Sequence, residues 1–157
     1  MLGKYLSVFF ISMVPLIELR GAIPIALSMD LPAIPAIIVC VLGNMLPVPI
    51  VYMFARKFLL WGAKQRYIGK FCGFFVVKGE RAGQKLAGKA GRGGLALALM
   101  LFVGIPLPGT GAWTGTLGAS FLNMGPKATA AAVSAGVVLA GIIMSVVSLL
   151  GLHIFGL

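Results

Sequence analysis

Two long stretches of this sequence carry no charged residue, Ala33 to Phe54 and Ala128 to Leu152. A helix crosses a hydrocarbon core of about 30 Å with about 20 apolar residues, so each stretch can span a bilayer. Apolar residues make up 60% of the chain and charged ones only 10%. A soluble domain carries about 25% charged residues, so this chain cannot clothe itself for water. The expectation is an all-α integral membrane protein built as a single membrane domain over 1–157. One lysine, Lys4, precedes a long apolar run with no cleavage site in view, and that run is read as retained. Cys40 and Cys72 fit neither a disulfide framework nor a metal site and are read as small apolar filler.

The formal net charge is +10, which alone would admit a nucleic-acid partner. Its distribution speaks against one: every Lys and Arg except Lys4, Arg20 and Lys127 lies between Arg56 and Arg92, opposed by Glu80. Basic residues collect in cytoplasmic loops, and anionic phospholipid on that face attracts them. The protein is therefore expected in the cytoplasmic membrane, multi-pass, with 56–92 cytoplasmic and the lipid bilayer as its partner. Ile68, Phe71 and Phe75 fall at helical spacing, and Lys78, Arg81, Lys85, Lys89 and Arg92 fall near one face. That pattern predicts interfacial helices. Gly79, Gly83, Gly88, Gly91, Gly93 and Gly94 favour a solvated loop instead.

The remaining apolar segments are broken. Residues 3–31 are interrupted by Pro15, Glu18, Arg20, Gly21, Pro24 and Asp30, and residues 94–126 by Gly104, Pro106, Pro108, Gly109 and Gly111. Proline and glycine disrupt helices, and irregular backbone at membrane depth survives only where protein buries it or it lines a wet cavity. The spacing predicts two re-entrant hairpins, 5–30 turning near Glu18 to Pro24 and 95–125 turning near Pro106 to Gly111. Each precedes a transmembrane helix, 33–55 and 128–152, with the basic segment 56–93 between the halves. Similar residues recur about 90 positions apart: Val14-Pro15-Leu16 against Ile105-Pro106-Leu107, Gly43 against Gly136, Asp30-Leu31-Pro32 against Asn123-Met124-Gly125-Pro126. With 56–92 inside, counting spans makes the halves inverted repeats (3–55 and 94–152), puts both termini outside and brings the hairpin tips together near the midplane. A kinked full span in place of each hairpin is the alternative.

Ionisable residues inside a membrane are costly and mark function. Arg20 offers a planar fork for phosphate or carboxylate, and tip amides beside Gly21 add an anion-binding concavity. Glu18, if desolvated, would hold a proton more tightly and could couple transport to protons. Asp30 is a second proton-coupling candidate, though capping a helix or facing water accounts for it better. The alternative is a Glu18–Arg20 pair, or Arg20 bonded to carbonyls of the second hairpin and holding the tips together. The second tip contributes Thr110, Gly111, Trp113 and Thr114 as candidate substrate contacts, with Pro106, Pro108 and Gly109, like Pro15 and Pro24 of the first, shaping its backbone. His153 reads as an interfacial residue. No catalytic residue, metal or cofactor is expected, because no nucleophile–base pair or metal cluster lies near a tip.

The runs Pro15-Leu-Ile-Glu-Leu-Arg-Gly-Ala-Ile-Pro24 and Pro106-Leu-Pro-Gly-Thr-Gly-Ala-Trp-Thr-Gly115 resemble the small multi-drug export protein family over nearly the whole chain. That family is similar in turn to the DedA membrane proteins, which have two opposed re-entrant hairpins. Some of these recycle undecaprenyl phosphate and need acidic and arginine residues in the hairpins. The resemblance implies that Glu18 and Arg20 belong to the functional site. It departs from the DedA pattern at the second hairpin, which has no arginine.

The expected function is transport of an anionic amphiphile, such as a polyprenyl phosphate lipid, by alternating access with proton coupling. A small multidrug exporter of hydrophobic cations, with Glu18 as counter-charge, is the alternative. A non-transporting membrane scaffold is a third reading. A homo-oligomer is expected, with the small residues from Ala130 to Gly141 offering a helix–helix interface.

Overall fold

In the computed structural model the chain is helical throughout, with no strand among the described residues, which are 1–87, 92–107 and 109–155. Pro108 and Lys89 lie outside them, and with them one of the expected tip prolines.

The chain opens with α1 (Leu2–Met13) and α2 (Glu18–Ser28), folded back on one another. The turn comes earlier than the sequence predicts. Val14 is extended (φ −69°, ψ 126°), as a residue before proline prefers, and this ends α1 ahead of Pro15. Pro24, expected at the turn, lies inside α2 with its ring exposed. Its neighbours Ile23 and Ala26 are fully buried, and that packing outweighs the helix-breaking tendency of the proline.

The first clean span is a bent helix: α3 (Ala33–Met45), α4 (Pro47–Ile50), one wide π-helical turn (Val51–Ala55) and α5 (Arg56–Gly62). Pro47 and Pro49 supply no N–H to the ladder, and the helix re-registers just after them. The π turn is tied to later chain: the Ser120 hydroxyl donates to the Tyr52 carbonyl at 3.3 Å, and the Tyr52 hydroxyl donates to the Met124 carbonyl. The basic segment then forms α6 (Gly69–Ala87), a helix despite its glycines. α7 (Arg92–Gly104), α8 (Ala112–Phe121) and α9 (Pro126–Phe155) complete the chain.

Both expected spans are helices long and apolar enough to cross a membrane. Only 39% and 28% of their most apolar windows are buried, which is not the pattern of a soluble core helix. Ile34, Ile38, Leu42, Leu46 and Ile50 form an exposed stripe at four-residue spacing, and Val138, Ile142, Val146 and Leu150 form another. In water such stripes would be aggregation surfaces; in a bilayer they meet acyl chains.

The two halves share local geometry. α2 and α8 end in the same Schellman motif. Asp30 and Asn123 take left-handed φ values of 59° and 53°. Leu31 N–H donates to Ala26 and Met124 N–H to Ala119, closing the last turn in each case. A side chain added at Gly43 would strike Ser12 and the Phe9 carbonyl of α1; one added at Gly136 would strike Val103 and the Met100 carbonyl of α7. Each long helix is thus approached closely at a glycine by the first helix of its own hairpin. Part of the small face of α9, expected at an interface between copies, is used inside the chain: Gly136 and Ala140 are buried with Val133 and Val137, largely against α7, while Ala131 and Ala135 are exposed.

The main core gathers Val8, Leu19, Ile23, Cys40, Leu99 and Val137 from five helices. A smaller cluster of Val51, Leu59, Cys72 and Leu117 fastens α5 and α6 to α8. The face of α6 buried against α5 and α8 is that of Cys72 and Val76, while Phe71, on the expected interfacial face, is exposed. The Phe75 side chain lies outside the described residues. Both cysteines are buried free thiols, in keeping with apolar filler.

Candidate functional site

The turns of the two helix pairs meet, and the polar groups of each are satisfied by the other. Glu18 begins α2 with φ 49°, and Leu16 in the turn before it takes φ 92°. Left-handed conformations away from glycine cost of order 1–3 kcal/mol and are kept where surrounding structure demands them. Here the Glu18 carboxylate reaches across to the N-terminus of α8. Trp113 N–H donates to Oε1 at 3.3 Å. A helix N-terminus has unpaired N–H groups and partial positive charge, so a carboxylate there is doubly favourable. Gly111, just before α8, has extended backbone that any residue could adopt; it is glycine because a Cβ would collide with the carboxylate.

Arg20, two residues further on, binds the opposite kind of helix end. Its Nη1 donates to the Leu107 carbonyl, and its Nη2 donates to Thr110 Oγ1 at 3.0 Å and to the Ile105 carbonyl at 3.4 Å. These carbonyls follow the C-terminus of α7, where partial negative charge gathers. The Thr110 hydroxyl lies 2.9 and 3.0 Å from the same two oxygens and tightens the loop. In return, the Trp113 indole N–H donates to the carbonyl of Met13, the last residue of α1, at 3.2 Å. Of the two sequence-based alternatives for Glu18 and Arg20, the bonds seen here are those that hold the tips together.

Beside this brace is a cavity of about 290 Å³. Pro15, Leu16, Glu18 and Arg20 form its first-tip wall, and Gly109, Thr110, Trp113 and Thr114 its second-tip wall. A third wall comes from the middle of the chain: Phe58 and Leu59 of α5, Phe71 and Lys78 of α6. Gly109 closes the second tip with φ 82°, a conformation that favours glycine.

Of the residues expected in the site, Glu18, Arg20, Thr110, Trp113 and Thr114 stand together on this cavity, with Pro15 and Gly109. Gly111 touches the site through Glu18. Gly21 faces Ile17 rather than the cavity, Pro106 lies in the turn behind the lining, and Pro24 is remote. Asp30 is exposed at the far end of α2, about 18 Å along the helix from Glu18 at 1.5 Å per residue. Sequence reasoning missed the third wall. Its traceable signal is that Phe71, Phe74 and Lys78 recur at helical spacing, placing one cation on an aromatic face of α6.

Residues 18–143 match the family described as "Putative small multi-drug export protein". No curated protein and no solved structure matches the chain.

Proposed function

The chain belongs to the small multi-drug export protein family, and on that footing we propose that it carries an anionic amphiphile across the membrane, alternately opening the cavity between its two tips to either side. The observation that carries this reading is the cavity itself. At about 290 Å³ it is close to the small end of ligand pockets, about 300 Å³. Its walls are mainly apolar, and two cations, Arg20 and Lys78, outnumber the single carboxylate of Glu18. That balance favours an anionic headgroup over a hydrophobic cation. A polyprenyl phosphate lipid is one member of the class.

The membrane arrangement proposed with it is an inverted repeat of re-entrant hairpins. The four hairpin helices have 12, 11, 13 and 10 residues. At 1.5 Å per residue each is about 15–20 Å long, short of a 30 Å core. The matching Schellman ends and glycine contacts support equivalence of the halves. The basic segment 56–92 lies on the cytoplasmic, anionic side, where the exposed Trp61, Tyr67 and Phe74 form an interfacial belt, and both termini lie outside. A second copy of the chain shields hairpin backbone from lipid.

Glu18 is the coupling group. Protonation removes the charge that the N-terminus of α8 holds, loosens the brace and lets the tips part. The test is flux in vesicles reconstituted with purified protein, using an NBD-labelled alkyl phosphate that external dithionite bleaches. Protein-dependent exchange between leaflets, lost in Glu18→Gln, is the expected result. Flux of a cationic dye but not of the alkyl phosphate would overturn the substrate class. No flux of either would leave a scaffold in place of a transporter.

A further inference from the structure

We propose that Lys78 of α6, rather than Arg20, holds the headgroup of the amphiphile, and that α6 thereby sets charge selectivity. This rests on the transporter reading above. Both expected anion holders at the tips are already occupied. The forked donors of Arg20 are spread over Leu107, Ile105 and Thr110. The open N–H groups of α8 hold the chain's own carboxylate, Glu18. An incoming anion would have to break one of these contacts before forming its own.

Lys78 is placed differently. It is half-buried on the cavity wall. Its ammonium stands over Gly109: a Cβ there would lie 3.7 Å from both Cε and Nζ. The ammonium is 6.0 Å from the Phe74 ring centre. Among the described residues no hydrogen bond or ion pair within 4 Å engages it, and the Glu18 carboxylate of the same lining acts on it only at longer range. An ammonium has three donors and accepts nothing, so one that is partly desolvated and unpaired gains most from an anion. Phe58, Phe71 and Leu117 stand around the same space and can take the start of an alkyl chain. Lysine acts as a point charge and does not demand a planar, two-pronged partner. Phosphate, sulfate and carboxylate headgroups should therefore bind alike, and cations poorly.

Binding to the full-length protein in detergent tests this without requiring transport. Decyl phosphate and decyl sulfate should bind within about threefold of each other, and decyltrimethylammonium at least about tenfold more weakly. Lys78→Gln should weaken both anions by about tenfold, Lys78→Arg should retain them, and Lys78→Glu should reverse the preference toward the cation. Thermal melting confirms that each variant is folded, and the near-isosteric glutamine variant serves if the glutamate one is not. Decyl phosphate bound equally by wild type and Lys78→Gln would overturn the assignment. Inorganic phosphate bound as tightly as decyl phosphate would overturn the amphiphile and leave a free-anion site. The two readings fail separately. Absence of flux in wild-type vesicles sinks transport while the binding series stands; flux untouched by Lys78→Gln sinks the Lys78 assignment while transport stands.

Discussion

The first tip offers its partner charged side chains, whereas the second offers mostly bare helix ends. Glu18 and Arg20 reach out from α2, and what receives them is the N-terminus of α8 and the carbonyls after α7. Reciprocity is slight, through the Trp113 indole on Met13. This asymmetry explains why the second half needs no arginine of its own. Helix ends carry partial charges of both signs, so one acidic and one basic side chain suffice for the pair. It also explains the composition of the tips. The receiving tip is the richer in glycine: Gly111 leaves room for the carboxylate, Gly109 takes a positive φ, and Gly104 and Gly115 admit Leu139 and Val103.

If the giving tip carries the brace, its charged groups should dominate stability. Glu18→Ala leaves the amides of α8 unpaired and is expected to cost about 3 kcal/mol, the largest effect, read from thermal melting in detergent. A loss no greater than that of an exposed-residue change would break the comparison. Gly111→Ala attacks the receiving side by filling the space the carboxylate needs, at a cost of about 2 kcal/mol. In the Glu18→Ala background the same change should cost almost nothing, and an additive double mutant would separate the two residues. Trp113→Phe removes the indole bond that runs the other way and should cost about 1 kcal/mol.

Much of this was legible in the sequence because charge, proline and glycine are rare enough in an apolar chain to stand out. Glu18, Arg20, Thr110 and Trp113 were all singled out on that basis, and the structure gathers them. The first turn was placed too late because Pro15 and Pro24 look alike in sequence. Only tertiary burial of Ile23 and Ala26 shows that α2 continues through the second of them. α6 was ambiguous because its helix depends on Cys72 and Val76 packing against α5 and α8, contacts far apart along the chain. For the same reason Lys78 resembled any other cation of a solvated face.

The wide turn at Val51–Ala55 has a consequence for how the cavity can be varied. An extra residue in one turn rotates all that follows by about 100° around the helix axis. Phe54 and Phe58, four apart, would share a face in a regular helix, yet only Phe58 reaches the cavity lining. The upstream stretch keeps its apolar stripe exposed while the downstream stretch, in another phase, lines the cavity. Shortening the chain there by a single residue would swing the aromatic wall outward and reshape the chamber without altering either tip.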